Sequence, residues 1–159
     1  MVSKEWISEA GSNQLAEERE RLLRVERPQV VQQVADAAAE GDRSENAEYI
    51  YGKKRMREID RRLKYLSNRL ERTVVKHPPT QDETVAFLSH VEVENLDTEE
   101  IKNFQIVGPD ESDVSAGRVS YLSPIGRALL GKRVDDDFEF ETPGGRRIYC
   151  VNSITLPTL

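Results

Sequence analysis

Cysteine occurs once in this chain, at Cys150, and histidine twice, at His77 and His90. A lone thiol excludes an internal disulfide, and three such residues scattered along 159 positions give no cluster with zinc-ligand spacing. Aromatic residues make up only 6% of the chain. Hydrophobic residues reach 37% against 33% charged, lean for one compact globule and suited to a chain with a long exposed helical part. No apolar run approaches the roughly 20 residues that a membrane-spanning helix needs, so no membrane partner is expected. The start, Met1-Val2-Ser3-Lys4-Glu5-Trp6, has no apolar stretch of signal-peptide length, and the expected location is cytoplasmic. The length leaves room for one or two small domains.

Charge is abundant but unevenly placed. The net charge is −6, yet residues 53–76 hold ten basic and three acidic side chains, a local net of +7. The flanking segments are both acidic. A uniformly acidic protein avoids nucleic acid, whereas one concentrated basic strip suggests a local polyanion contact. The strip comprises Lys53, Lys54, Arg55, Arg57, Arg61, Arg62, Lys64, Arg69 and Arg72. One reading is a solvated helix face paired with acids on a neighbouring helix. The other is a track for a phosphate backbone, since ten bases exceed what three acids can pair.

Hydrophobic spacing divides the chain. From Glu9 to Glu40 good helix formers dominate, with Leu15, Leu22 and Val25 on one stripe. Pro28 interrupts, and the stripe resumes out of phase at Val31, Val34 and Ala38, which predicts a kink or a fresh helix start. Gly41 ends this helix as a cap. Gly52, Met56, Ile59, Leu63, Leu66 and Leu70 then repeat at alternating spacings of four and three, the seam of a coiled coil. The short connection makes the two helices antiparallel, and about 30 residues per arm at about 1.5 Å rise gives a rod on the order of 40–45 Å. Ala35, Ala37, Ala38 and Ala39 opposite Ala47 and Gly52 predict a slender tip.

Lys76-His77-Pro78-Pro79-Thr80-Gln81-Asp82 reads as a linker. Beyond it the period becomes alternating, with strands expected at Val85–Val93, Phe104–Val107, Val119–Leu122, Phe138–Glu141 and Ile148–Ile154. A short helix is expected over Ser123–Leu130, capped by Ser123 with Pro124 in its first turn. Thr142-Pro143-Gly144-Gly145 is a turn between strands. The expected fold class is α+β: a helical hairpin over residues 1–76, a linker at 77–82, and a small antiparallel sheet with a short helix over 83–159.

The connection between the two helices is Gly41-Asp42-Arg43-Ser44-Glu45-Asn46. Asp42-x-x-Glu45 has the spacing of a capping box, with Ser44 as an alternative cap. The same two carboxylates are hard oxygen donors suited to Mg²⁺, which takes one or two carboxylates plus waters and phosphate oxygens. Two carboxylates do not complete a protein site, so such a metal is shared with a partner.

The run Gly41-Asp42-Arg43-Ser44-Glu45-Asn46-Ala47-Glu48-Tyr49, followed by Lys53-Lys54-Arg55-Met56-Arg57-Glu58-Ile59-Asp60-Arg61-Arg62-Leu63, resembles the Gre transcript-cleavage factors of bacteria, in their GreB branch. Ser123-Pro124-Ile125-Gly126-Arg127-Ala128-Leu129-Leu130-Gly131-Lys132 and Thr142-Pro143-Gly144-Gly145 resemble motifs of that family's C-terminal domain. Leu122 departs from it, standing where the family commonly has a polar residue. The resemblance implies an N-terminal antiparallel coiled coil and a C-terminal domain similar to FK506-binding proteins. It implies two partners, bacterial RNA polymerase and the extruded 3′ end of the nascent RNA.

In such a factor the C-terminal domain grips the rim of the polymerase's secondary channel and the coiled coil enters it. Asp42 and Glu45 help hold Mg²⁺ in the polymerase active site, with Ser44 and Asn46 beside them. Lys53, Lys54, Arg55, Arg57, Arg61 and Arg62 contact RNA, and Ser123, Pro124, Ile125 and Arg127 belong to the docking surface. The free chain is expected to be a monomer holding no stable metal, and to complete another enzyme's site without being an enzyme alone. Two rival readings are a channel-binding inhibitor that does not stimulate cleavage, and a prolyl isomerase or chaperone. Asp42 and Glu45 both being present argues against the first. Against the second, Phe87, Phe104, Tyr121, Phe138, Phe140 and Tyr149 read more simply as core.

Overall fold

A computed structural model describes residues 3–41, 46–81 and 83–157. In chain order these form β1 (Glu5–Ile7), α1 (Glu9–Arg21), a wide turn at Leu22–Glu26, α2 (Arg27–Ala39), α3 (Ala47–Arg72), β2 (Thr73–Val75), β3 (His90–Asn95), β4 (Ile101–Val107), β5 (Arg118–Ser120), α4 (Pro124–Leu129), β6 (Asp137–Thr142) and β7 (Gly145–Thr155). The chain divides into a helical unit, Ser12–Thr73, and a unit that joins residues up to Gly11 with those from Val74 onward.

In the helical unit α2 packs against α3. Leu22, Val30, Ile59 and Leu66 form the buried core, with Leu15, Val34, Met56 and Leu63 packed against it. The second-arm seam is the one expected from the heptads. The first-arm stripe differs. Val30 and Ala37 are buried, whereas Val31 is 39% exposed and Val25 is 50% exposed.

The wide turn explains the shift. There the Arg27 amide donates to the Leu22 carbonyl, five residues back instead of four, so the turn takes up one extra residue. Leu15 to Leu22 is seven residues, Leu22 to Val30 is eight, and Val30 to Ala37 is seven again. The extra residue falls just before Pro28, which has no amide donor and crowds the carbonyl of the turn before it. Widening that turn accommodates the ring and lets α2 restart with Pro28 in its first turn.

Near the hairpin's end, Gly52 faces Val34. A Cβ on Gly52 would lie 2.6 Å from a Val34 methyl, so a larger residue there would force Val34 to shift. Of the alanines expected to line the tip, Ala37 is buried, while Ala35, Ala39 and Ala47 face solvent.

In the second unit a sheet of order β5-β4-β3-β7-β6 is antiparallel except for the parallel β4–β5 pair. Val91 and Val93 alternate inward along β3. On β7, Val151 and Ile154 are three residues apart yet both buried. A bulge reconciles this: Ser153 pairs with Glu92 and Val151 with Val93, leaving Asn152 as the extra residue. The core gathers Val85, Ile106, Val119, Leu129, Phe138 and Tyr149 with these strand residues. The expected strand Val85–Val93 begins only at His90. Residues 85–89 turn instead, because the Ser89 hydroxyl accepts from the Ala86 amide at 3.0 Å and Leu88 sits at φ 72°.

Contacts group the first eleven residues differently from a single cut at residue 76. The N-terminal residues belong with the sheet unit, for identifiable reasons. The Trp6 ring stacks on Tyr121 at 4.5 Å, meets Phe87 edge-on at 5.7 Å, and carries the Lys76 ammonium 4.4 Å above it. The Trp6 amide donates to the Tyr121 hydroxyl at 3.0 Å. Next in sequence, the Ser8 hydroxyl accepts from the Gly11 amide, capping α1, and donates to the Glu111 carboxylate. That carboxylate also accepts from the amides of Ser8 and Gly108. A Cβ on Gly108 would lie 2.2 Å from the Trp6 carbonyl oxygen, so the strand lies directly on residues 108–111.

Replacing Trp6 by Ala is therefore expected to destabilise the sheet unit by about 3 kcal/mol, as aromatic-to-alanine changes do in packed sites. Thermal unfolding of the full chain, followed by near-ultraviolet circular dichroism, measures this. A chain beginning at residue 80 loses the strand altogether and is expected to unfold at a lower temperature still. An unchanged midpoint for Trp6→Ala would show that the strand merely lies alongside.

Candidate functional site

The expected metal pair, Asp42 and Glu45, and their neighbour Ser44 lie outside the described residues. What the structure fixes is the two ends between which they hang. α2 finishes at Ala39 with Glu40 as its cap, and Gly41 follows at φ 130°, a conformation open to glycine and strained for other residues. α3 begins at Ala47 with Asn46 as its N-cap.

Asn46 joins both arms. Its side-chain oxygen accepts from the Tyr49 amide at 3.1 Å, satisfying one of the unpaired donors at the start of α3. Its side-chain nitrogen donates to the Ala37 carbonyl at 2.7 Å, near the end of α2. The expected capping box of Asp42 and Glu45 lies outside the described residues; the described N-cap of α3 is Asn46. The four residues between Gly41 and Asn46 are bracketed by a glycine and a two-way asparagine clamp. Their carboxylates are of the donor type that Mg²⁺ takes, and two cannot complete its shell. Among the described residues no group of three or more His, Cys, Asp or Glu could hold a metal.

The basic strip separates by its place relative to the α3 seam. Arg55 and Arg62 stand immediately beside the seam, seven residues apart. Arg55 pairs with Glu26 of the first arm and with Glu58, each at 3.4 Å. Arg62 grips Glu18 with two hydrogen bonds, at 2.7 and 3.0 Å. That hydrogen bond holds the Glu18 carboxyl below its ordinary range and raises the Arg62 guanidinium. On the other flank Arg27 meets Asp60 at 2.8 Å, and this bond raises the Arg27 pKa.

Lys54, Arg57, Arg61 and Lys64 point away from the seam and are exposed; Lys53 is half-buried. Among the described residues none of these five forms an ion pair. Seven of the strip's nine residues thus fall into two sets. Arg55 and Arg62, expected as RNA contacts, are engaged in holding the hairpin together. Lys54, Arg57, Arg61 and Lys64 present their charge to solvent, and Lys53 does so in part. Heptad position would have separated all but Lys53, which flanks the seam as Asp60 does seven residues on, since side chains flanking a seam meet the partner helix and those opposite it meet water. Among the outward-facing residues sequence reasoning passed over Tyr51, 70% exposed, and Tyr65, 47% exposed with the Arg62 guanidinium 5.0 Å from its ring centre.

In the sheet unit, Ser123 accepts from the Gly126 amide at 3.1 Å and donates to the Ser120 carbonyl at 2.6 Å, capping α4 as expected. Pro124 and Arg127 face solvent. Ser123 and Ile125 border an apolar cleft of about 210 Å³ whose walls include Phe104, Val119, Phe140 and Tyr149. The expected docking residues thus divide between the outer face of α4 and the rim of this cleft. Leu122 beside them is 38% exposed. Phe87, Phe138 and Tyr149 are buried, as a core reading requires. Cys150 stays a thiol of raised pKa, through burial and the nearby Asp137.

Comparison with known proteins matches both units. Residues 5–75 fit the family described as transcription elongation factor, N-terminal, and residues 80–156 fit transcription elongation factor, GreA/GreB, C-term. Transcription elongation factor GreB of Haemophilus ducreyi is 46% identical over 99% of this chain and 98% of its own length. That of Xanthomonas axonopodis pv. citri is 49% identical over 96% of this chain and 92% of its own. Among solved structures, GreA factor homolog 1 (Gfh1) of Thermus thermophilus is 27% identical, covers 96% of this chain and 99% of its own, and superposes with a TM-score of 0.44. With two family domains in order along nearly the whole length, the chain belongs to the GreA/GreB family of transcription elongation factors.

Proposed function

We propose that this chain restarts backtracked bacterial RNA polymerase by stimulating the polymerase's own hydrolysis of the extruded RNA 3′ end. The observation that carries the reading is the sorting of α3's cations. Lys53, Lys54, Arg57, Arg61 and Lys64 are left unpaired among the described residues, on a helix that starts at a turn bearing two carboxylates. The described N-cap of that helix is Asn46.

On this reading the hairpin enters the secondary channel, and the chain is not an enzyme by itself. Asp42 and Glu45 bring two hard oxygen donors to the polymerase active site, flanked by Ser44 and by Asn46, which fixes where the turn ends. Mg²⁺ shared there with the polymerase supplies charge neutralisation at the phosphate and an activated water. Lys53, Lys54, Arg57 and Arg61 hold phosphates of the extruded strand. Arg55 and Arg62 act one step removed, by fixing α3 against the first arm. The α4 face, with Ser123, Pro124, Ile125 and Arg127, meets the rim of the channel. The protein works in the cytoplasm as a monomer.

The double substitution Asp42→Asn with Glu45→Gln is expected to lower cleavage by orders of magnitude while leaving polymerase binding and the unfolding midpoint unchanged. Asn46→Ala behaves oppositely at first sight, lowering stability by about 1 kcal/mol through loss of the cap. Release of short 3′ fragments from stalled, backtracked polymerase, read alongside thermal unfolding, checks both. Retention of most cleavage by the double variant would sink the metal role.

Replacing Lys54, Arg57 and Arg61 together by Ala is expected to weaken action on long extruded RNAs more than on short ones, and less so as salt rises. Arg55→Ala with Arg62→Ala instead loosens the hairpin and affects all lengths alike, each exposed pair contributing about 0.2–1 kcal/mol. Cleavage rates across a series of backtracked complexes separate the two patterns. Equal loss at every length from the outward triple would assign those cations to folding or docking.

A further inference from the structure

Tyr51 lies one turn before Lys54 on the outward side of α3 and is 70% exposed. Among the described residues no other ring or cation covers it, unlike Tyr65, which carries the Arg62 guanidinium. Among the described residues, Tyr51 lines a slot of about 330 Å³ between α2 and α3 together with Gln33, Asp36 and Glu48. That volume lies at the small end of ligand sites, which run from roughly 300 to 1,000 Å³.

The lining says what can enter. The carboxylates of Asp36 and Glu48 repel a phosphate, so the polyanion's backbone is kept out of the slot. Asp36 accepts from Gln32 at 2.8 Å through one oxygen, which leaves the other oxygen as an acceptor. Glu48 adds acceptors, and the Gln33 amide offers both donor and acceptor. A flat group with N–H donors on its edge and an attached anionic chain running outside matches such a slot. An unstacked nucleobase with an exocyclic amino group, its phosphate on Lys54, has that form. Aromatic faces take bases of single-stranded RNA in this way regardless of sequence, and the polar edge adds a preference.

We propose that Tyr51, with Gln33, Asp36 and Glu48, forms a nucleobase subsite that stacks one amino-bearing base of single-stranded RNA and seats the adjoining phosphate on Lys54. In transcription this base belongs to the extruded strand, and that placement rests on the function proposed above.

The test is designed so that the two readings fail separately. The full-length protein is titrated at low salt with a short fluorescein-labelled oligoadenylate, and with the same chain built from abasic ribose, following anisotropy. Tyr51→Phe is expected to match the unaltered protein. Tyr51→Leu is expected to bind oligoadenylate about tenfold more weakly, within the range of stacking losses. The abasic chain is expected to bind the unaltered protein and Tyr51→Leu equally, through the cations alone. Oligouridylate, lacking the amino group, is expected to bind more weakly than oligoadenylate.

Equal binding of oligoadenylate by Tyr51→Leu and the unaltered protein would overturn the subsite. So would an equal loss on the abasic chain, or no detectable binding of oligoadenylate by the unaltered protein. None of these measurements contains polymerase. A subsite upheld here, together with no stimulated cleavage in backtracked complexes, would reject the function and leave the subsite standing.

Discussion

The apolar seam between Leu22 and Val30 on one arm and Ile59 and Leu66 on the other sets the rotation of α3 about its axis. Everything charged on that helix follows from this rotation. Burying Ile59 and Leu66 brings Arg55 and Arg62 beside the first arm, within reach of Glu26 and Glu18. It turns Lys54, Arg57 and Arg61 to the opposite side, where no acid among the described residues pairs with them. Hydrophobic burial, at about 25 cal/mol per Å², far outweighs exposed ion pairs, so the seam decides and the charges follow. A sequence with the same net charge but a seam moved by one residue would present a different set of cations to solvent.

At the end of the seam, two features bracket the connection between the arms. Gly41 lets α2 stop, and Asn46 both starts α3 and ties it to the Ala37 carbonyl. Helix ends impose hydrogen-bonding requirements on nearby residues, and here one side chain meets those of both arms.

Much of this was legible in the sequence. Alternating spacings of four and three from Gly52 to Leu70 gave the second arm's buried face, and Ser123-Pro124 gave the cap and first turn of α4. What escaped had physical reasons. The first arm's face was displaced by one position because a wide turn leaves no mark in a pattern counted at constant pitch. The strand expected at Val85–Val93 was shortened by a Ser89 hydroxyl bond, which competes locally with a ladder. The partnership of Trp6 with Tyr121, and of Ser8 with Glu111, spans more than a hundred residues, and no local pattern carries such information. The division of the basic strip was within reach, because the seam already fixed which arginines flank it. The turn bearing Asp42 and Glu45 stood out by composition and by family likeness, while its described geometry ends at Gly41 and Asn46.

The wide turn before Pro28 has a consequence for how the family's chains can vary. Eight residues separate Leu22 from Val30, where an uninterrupted arm would have seven. The surplus residue and the proline accommodate each other. Removing the residue alone would force the proline ring into a closed turn, and replacing the proline alone would leave a widened turn with no reason to stay open. Either change by itself also threatens the phase between the two halves of the arm. The two differences are thus coupled as a unit of inheritance: lineages are expected to hold both or neither, with the interval from Leu22 to Val30 serving as the tally of which.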